Sequence, residues 1–285
     1  MRKPWVAAAV VLLTTTAPAV FAGVDLRLRV AGGAARLALD EPNTVLREWE
    51  AWHVKTVEDS KNMTLVDDKV GELRLGYDFD VEMILGFGRH FGLGFGAGVL
   101  NASVSEKDAF LTVDRPLGTF TYAHTMTASA YPVLLSAHGL LPLGGKFTAY
   151  VKAGGGLAWA KFAEREANKL PTNPKFAYPF SQSARANGTL YAAGVGLRFD
   201  ADDKLSFLVE FGGRRGELTD FEGKAKDGTP GALYAFDEYD AKIEHWRRRY
   251  EILAQPPQGD IYRNVGKARI DIGGVSVKLG IALEF

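Results

Sequence analysis

Residues 72–87 read Glu-Leu-Arg-Leu-Gly-Tyr-Asp-Phe-Asp-Val-Glu-Met-Ile-Leu-Gly-Phe, and every odd position from Leu73 to Phe87 is apolar or aromatic. The even positions carry charge or glycine, with Ile84 as the exception. Successive side chains of a strand point to opposite faces of a sheet, so this period of two predicts a strand with one apolar and one polar face. A transmembrane β-barrel has this pattern, with the apolar face in lipid and the polar face toward the interior.

The same alternation recurs along the chain and predicts eight antiparallel strands. Their approximate ranges are 24–38, 68–88, 90–104, 118–138, 146–162, 186–200, 204–217 and 267–285. The short connections at 88–90, 138–146 and 200–204 alternate with long ones at 40–66, 104–118, 163–186 and 217–266. In transmembrane barrels the short turns face the periplasm and the long loops face outside. Gly273-Gly274 predicts a bulge, because Ile270 and Ile272 have the opposite parity to the strand that follows.

Composition excludes several classes of protein. The 34 basic and 34 acidic residues give a formal net charge of zero, which argues against a nucleic-acid-binding protein. The chain has no cysteine, so disulfides, thiol catalysis and a lipoprotein anchor are excluded. No apolar run approaches the ~18 residues of a transmembrane helix. In lipid, a closed barrel is the only sheet that pairs all of its backbone groups.

The N-terminal segment has the order of features expected of a secretory signal peptide. Arg2 and Lys3 precede an apolar run from Trp5 to Leu13, and small residues lead to Val20-Phe21-Ala22. We expect residues 1–22 to be a signal peptide and residues 23–285 to form the barrel domain.

The last eight residues are Lys278-Leu279-Gly280-Ile281-Ala282-Leu283-Glu284-Phe285. They resemble the C-terminal insertion signal of Gram-negative outer-membrane β-barrels, with Lys278, Gly280, Leu283 and Phe285 at the signal positions. The resemblance implies recognition by the barrel-assembly machinery and a place in the outer membrane of a Gram-negative bacterium. Over residues 23–285 the chain is similar in architecture to the small eight-stranded barrels of the OmpA, OmpX and OmpW kind. Function does not follow from that fold.

The strand register assigns seven positive and seven negative side chains to the lumen. They are Arg27, Arg29, Arg74, Lys152, Arg198, Arg214 and Lys278, with Asp25, Glu72, Asp78, Asp80, Glu82, Glu210 and Glu284. The interior of an eight-stranded barrel holds side chains or one small ligand. Charges confined there must be paired, because an unpaired buried charge is costly. We therefore expect a salt-bridged, filled lumen, with a narrow path for ions as the alternative.

The last long connection predicts an amphipathic helix between Pro230 and Pro256-Pro257. Its apolar residues recur at helical spacing: Phe236, Tyr239, Ile243, Trp246, Tyr250 and Leu253. We expect this helix to cover the barrel mouth as a lid. The alternatives are docking into the outer leaflet, with Arg247 to Arg249 on lipopolysaccharide phosphates, or binding of a partner protein. Residues 44–57 predict a smaller helix, although their Trp and Val residues also suit a strand.

The spacing of the histidines predicts no catalytic or metal site, and a triad assembled from different strands is the alternative. Some small outer-membrane barrels modify lipid A with a His, a Ser and an acid near the outer rim. Only His138 has a Ser two residues away, and Ser136 falls near a predicted periplasmic turn; His124, at the outer rim, has Met126 instead. No two histidines have metal-ligand spacing.

The sequence therefore predicts an all-β, transmembrane, up-and-down antiparallel barrel that acts without catalysis as a surface structural or binding protein. Its expected partners are outer-membrane lipid and lipopolysaccharide, with a surface ligand at loop 217–266, and no cofactor. The alternatives are a narrow channel for ions or small solutes and a lipid A-modifying enzyme.

Overall fold

The computed structural model describes residues 24–170, 173–225 and 228–285 of the chain. The predicted signal peptide, 1–22, lies outside these residues. No helix within the described part of the chain is both long and apolar enough to cross a membrane.

One helix and sixteen strands make up the described fold. The helix is α1 (Asp40–Glu58). The strands are β1 (Val24–Leu37), β2 (Thr64–Val70), β3 (Leu75–Phe87), β4 (Phe91–Val104), β5 (Ala109–Arg115), β6 (Gly118–Gly144), β7 (Phe147–Leu170), β8 (Asn173–Asp200), β9 (Leu205–Arg215), β10 (Glu217–Leu218), β11 (Glu222–Lys224), β12 (Pro230–Asp240), β13 (His245–Leu253), β14 (Tyr262–Lys267), β15 (Ile270–Asp271) and β16 (Gly274–Glu284).

Eight of these strands form a closed antiparallel ring. In order they are β1, β3, β4, β6, β7, β8, β9 and β16, and each pairs with the next. The ring closes where β16 pairs with β1, from Arg27 opposite Glu284 to Leu37 opposite Gly274. The ring is up-and-down, because its neighbours follow one another in the chain. The eight predicted strands correspond to these eight members in the predicted order.

The β7–β8 hairpin corrects one predicted loop. Residues 163–186 were expected to be a long connection, but β7 runs to Leu170 and β8 starts at Asn173. The alternation continues past residue 162: Phe162 and Glu164 are buried, while Lys161 and Arg165 are exposed. The outer face thus changes from apolar to polar at this height while the strands continue. A prediction that requires apolar residues on the outer face therefore ends β7 too early.

The bounds of three other elements also differ from prediction. Residues 68–74 do not extend β3, because 64–70 form β2, which pairs with β5. Residues 267–273 do not extend β16, because Ile270–Asp271 pair with β10. The break falls at Gly273 and Gly274, where Gly274 has a φ of 146°. The predicted 138–146 connection is shorter, because β6 continues to Gly144, whereas the turns at 88–90 and 201–204 are confirmed.

The outer face of the ring is apolar over much of its height. Large exposed side chains from seven of the eight ring strands lie there, among them Leu75 (75 % exposed), Leu135 (66 %) and Leu279 (69 %). An exposed apolar surface of this extent marks contact with another apolar phase or partner. Charged side chains of the same strands, such as Arg29, Glu82 and Glu210, lie inside the ring.

Helix α1 and the strands β2, β5 and β10–β15 lie at the end of the ring where the long connections are, and we call them the cap. Helix α1 confirms the helix predicted over 44–57, with Val45 and Trp49 fully buried. It is the only helix among the described residues, and it lies in the first long connection, not the last.

The helix predicted for the last connection is wrong. Its apolar residues, Phe236, Tyr239, Ile243, Trp246, Tyr250 and Leu253, lie in or between the paired strands β12 and β13, where Tyr239 faces Trp246. Core contact follows a period of two instead: Leu233 and Ala235 on β12 and Tyr250 and Ile252 on β13 are buried. The two strands carry opposite charges at facing positions, and such cross-strand pairs favour a hairpin.

The interior of the ring has two layers. Next to the cap, an apolar core is built from ring strands, α1 and the β12–β13 hairpin, with Leu46, Phe162 and Tyr250 fully buried. Toward the short turns, the interior is filled by charged side chains and by a small apolar cluster that includes Tyr150 and Leu208. The cap therefore closes the ring by packing into its end.

Candidate functional site

The charged layer centres on Arg29 of β1. Its guanidinium is 2.6 Å from Glu210 on β9 and 3.2 Å from Glu82 on β3, and it also pairs with Asp80. The Arg29 side chain is 2 % exposed and that of Glu210 is fully buried. Two inward carboxylates on β3 and one on β9 thus meet a single cation from β1.

Two lysines complete this centre. Lys278 of β16 lies 3.2 Å from Asp78 and 3.1 Å from Glu210, and it pairs with Asp80. Lys152 of β7 lies 3.0 Å from Glu210. The Tyr150 hydroxyl donates a hydrogen bond to Glu210 at 3.0 Å.

Arg214 of β9 pairs with Asp78 and donates to the Ser276 hydroxyl at 3.1 Å. The network, which we call the lumen network, joins four cations and four carboxylates: Arg29, Lys152, Arg214 and Lys278 with Asp78, Asp80, Glu82 and Glu210. It is electrically balanced, as burial requires. All eight residues belong to the predicted lumen set.

The remaining members of that set lie outside the lumen network. Arg27 pairs with Glu284 at 2.9 Å and with Asp25 at 3.5 Å, at the short-turn end of the ring. Arg198 pairs with Asp200 at 2.8 Å.

The prediction for Glu72 and Arg74 is wrong. They precede β3 and pair with each other at 3.1 Å, with Asp40 of α1 at 3.8 Å from Arg74. Strand β3 begins only at Leu75, so the side chains of Glu72 and Arg74 lie at the cap and not in the lumen.

A small cavity lies beside the lumen network. Its volume is ≈ 60 Å³, and Asp78, Glu82, Lys152, Glu210 and Lys278 line it together with ring glycines. At roughly 15 Å³ for each water of this measure of volume, it has room for about four waters. A cavity of that size holds no organic ligand or hydrated ion with its shell.

Ser136, His138 and Glu82 form a buried cluster inside the ring. His138 Nε2 is 3.0 Å from the Ser136 hydroxyl and 3.0 Å from Glu82 Oε1, and Ser136 also donates to Glu82. In a catalytic triad the base binds the nucleophile through one ring nitrogen and the acid through the other. Here one nitrogen serves both contacts. The cluster is a hydrogen-bonded support for Glu82, and it lies in the layer of the lumen network.

A second buried polar cluster, which the sequence does not predict, joins the cap to the ring. His124 Nε2 is 2.7 Å from Glu164, and the Gln182 amide donates to Glu164 at 2.6 Å. Gln182 also donates to the Tyr250 carbonyl at 2.9 Å and accepts from the Ile252 backbone N–H at 3.0 Å. The Gln182 side chain of β8 thereby bonds two backbone groups of β13, as a neighbouring strand would do. The sequence signal for this cluster is that His124, Glu164 and Gln182 fall at positions of the alternating pattern that face the interior.

Helix α1 brings aromatic side chains to the same region. The Trp49 ring lies 5.2 Å from His124 and 4.6 Å from His53. Burial lowers the pKa of His53 to about 4, so this imidazole is neutral at physiological pH.

The three consecutive arginines of β13 are engaged within the protein. Arg247 pairs with Glu166 of β7, and Arg248 is 2.6 Å from Glu41 of α1. Arg249 pairs with Glu238 on the facing strand. Although burial alone would lower it, the Glu41 carboxylate raises the pKa of Arg248. These arginines fasten the hairpin to the ring and the helix, and each of the three is engaged in an ion pair within the protein.

A groove of ≈ 390 Å³ opens between α1, β12, β13 and β14. Its lining includes Glu48, Asp237, Trp246, Arg263 and Asn264. The Arg263 guanidinium stacks 4.0 Å from the centre of the Trp246 ring. Within the described residues, no group of His, Asp and Glu side chains is arranged to hold a metal ion.

A comparison with known proteins adds no family. No protein-family model matches the chain, and no curated protein is similar to it.

Proposed function

We propose that the chain is an outer-membrane β-barrel with a closed interior that acts as a structural or binding protein at the surface of a Gram-negative bacterium. Membrane insertion is supported by the closed ring and by the apolar side chains on its outer face. A closed ring leaves no unpaired strand edge, as the hydrocarbon region requires. The apolar outer face and polar inner face then match lipid outside and a polar interior.

The two-layer interior carries the functional proposal. The lumen network and the apolar core occupy successive levels of the ring, and the cavity between charged residues measures only ≈ 60 Å³. A ring filled in this way is better suited to support the cap rigidly than to conduct solutes. Binding then belongs to the cap, and the groove around Trp246 and Arg263 in loop 217–266 is the part of that loop suited to a ligand.

A non-enzymatic role is supported by the two histidine clusters. His138 contacts Ser136 and Glu82 through one nitrogen, and His124 contacts Glu164 beneath the cap, without a nucleophilic hydroxyl among its hydrogen-bond partners. Neither arrangement activates a hydroxyl toward a lipid ester.

Orientation is tested by cysteine labelling, because the chain has no cysteine of its own. Lys107→Cys lies in the cap between β4 and β5, and Asp203→Cys lies in the short turn between β8 and β9; both positions are exposed. A membrane-impermeant maleimide should label position 107 in intact cells and position 203 only after the outer membrane is permeabilised. The reverse order, or labelling of neither in an outer-membrane fraction, would refute the proposed placement.

Closure is tested by conductance of refolded residues 23–285 in a planar bilayer. We expect no steady current from the intact chain, because the network and core fill the ring. A steady current would overturn the closed interior and favour the narrow channel. Heat-dependent gel migration of the same sample shows whether the ring is folded, so a silent but unfolded sample is recognised.

A further inference from the structure

The outer surface of β6–β8 carries a basic patch directly above its aromatic residues. Tyr131 of β6 faces Trp159 of β7, and both are about half exposed, at 48 % and 49 %. The next outward position on β7 is Lys161, which faces Ser129 on β6 and Arg185 on β8. Each such step along a strand is about 6.8 Å, so these cations lie one step beyond the aromatic residues.

Lys161 and Arg185 form a like-charge pair across neighbouring strands. Directly opposed side chains on one face lie about 5 Å apart at Cβ, and equal charges at that distance are destabilising. Among the described residues, neither forms an ion pair with a carboxylate. The register partner of Arg185 on its other side is Glu222 of β11, and no ion pair joins them. An anion from outside the chain would remove the repulsion.

Strands β6 and β7 form a groove beside this pair that can receive such an anion. A groove of ≈ 330 Å³ on this face is lined by Lys161, Arg165 and Tyr131, by Ala163, and by the hydroxyl residues Thr125, Thr127 and Ser129. Ala163 lies between the two cations on β7, and its small side chain leaves the floor of the groove open. Ammonium, guanidinium and hydroxyl groups are the donors that bind phosphate oxygens.

We infer that the basic patch, defined as Lys161 and Arg185, binds a phosphate group of a phosphorylated glycolipid of the outer leaflet. The inference rests on the proposed membrane placement, which puts Tyr131 and Trp159 at the interface and the patch at the level of the lipid headgroups. The sugar-borne phosphate would lie in the groove while the acyl chains follow the apolar face below. The site replaces the contacts expected of Arg247 to Arg249, which are engaged in internal ion pairs.

The test measures binding of lipid A to refolded residues 23–285 by native mass spectrometry. The probes are bisphosphorylated lipid A and the same lipid A after enzymatic dephosphorylation. The patch variant is Lys161→Gln/Arg185→Gln, and the matched control is Lys146→Gln/Lys204→Gln, which removes the same charge at the short-turn end. We expect the wild type and the control to prefer the phosphorylated form about tenfold, and the patch variant to lose that preference.

An unchanged preference in the patch variant would overturn the site. Competition by inorganic phosphate as effective as that by lipid A would overturn the glycolipid as the ligand. The same samples are tested for heat-dependent gel migration, and the cells for the outer-membrane fraction. A chain absent from that fraction refutes the membrane placement and the site together, whereas a membrane-located chain without phosphate preference refutes the site alone.

Discussion

Arg29 is the residue whose loss should cost the ring most stability. Its guanidinium contacts Asp80, Glu82 and Glu210, and its side chain is 2 % exposed. Arg29→Met keeps a long side chain in the same space and removes only the charge and the donors. The lumen network then holds three cations against four carboxylates.

The size of the effect follows from the remaining partners. Removing one member of a buried ion pair costs about 3–5 kcal/mol, because the other charge stays buried without compensation. Lys152 and Lys278 still contact Glu210, and Lys278 still contacts Asp80, so we expect the lower end, ~3 kcal/mol. Arg29→Met combined with Glu210→Gln restores the balance of charge at three against three. We expect this double variant to recover on the order of 1–2 kcal/mol relative to the sum of the single changes.

The assay is guanidinium unfolding of the refolded chain in detergent, followed by the fraction of heat-modifiable protein on a gel. The control is Lys267→Met, which removes an exposed pair with Asp220 and should leave the unfolding midpoint nearly unchanged. A loss for Arg29→Met no larger than that of the control would refute the view that the lumen network holds the ring. A strictly additive double variant would show that the charges do not act together.

Three further changes test other levels of the fold. Because burial lowers the pKa of His53 to about 4, the unfolded chain takes up its proton first. Stability should be fully present above pH ~6.5 and fall by at most about 3 kcal/mol as the pH drops toward 4; His53→Phe should flatten this dependence in denaturant midpoints followed by tryptophan fluorescence. Gly156→Ala places a Cβ atom 2.0 Å from a backbone oxygen of the neighbouring strand and should reduce the refolded yield, whereas Gly266→Ala meets no atom within 4 Å and should not. Phe162→Ala opens the apolar core and should cost about 3–5 kcal/mol in urea unfolding, whereas the outward Phe207→Ala should leave the midpoint nearly unchanged; equal shifts would contradict the assigned faces.

The ring could be predicted from the sequence because it rests on one local rule. Alternation from Leu73 to Phe87 fixes which side chains share a face. Because the 88–90 turn has an odd number of residues, Phe87 and Phe91 lie on the same face of neighbouring strands. The eight members of the lumen network were found in the same way. The rule fails where the outer face is no longer apolar, and it therefore predicts a loop where β7 and β8 continue toward the cap.

The cap could not be predicted in the same way, since its faces are decided by tertiary contacts. The spacing of Phe236, Tyr239 and Ile243 fits a helix, but Asp237 and Glu238 find Arg248 and Arg249 across a hairpin turn. The bond from Gln182 to the backbone of β13 joins segments separated by about seventy residues, and no local pattern announces it. Likewise, Glu82 meets Ser136 and His138 only once β3, β4 and β6 are paired.

The origin of the lumen network in the chain has a consequence for biogenesis. Its members come from β1, β3, β7, β9 and β16, so the first and last strands of the ring both contribute. A sheet that lacks β16 lacks Lys278, and one that has not met β1 lacks Arg29, so an unfinished sheet has a surplus of carboxylates on its inner surface. Charge neutrality is reached only when both terminal strands have joined the sheet, β1 beside β3 and β16 beside β9. The cost of an unpaired buried charge therefore makes the full set of strands from β1 to β16 a condition for a stable interior.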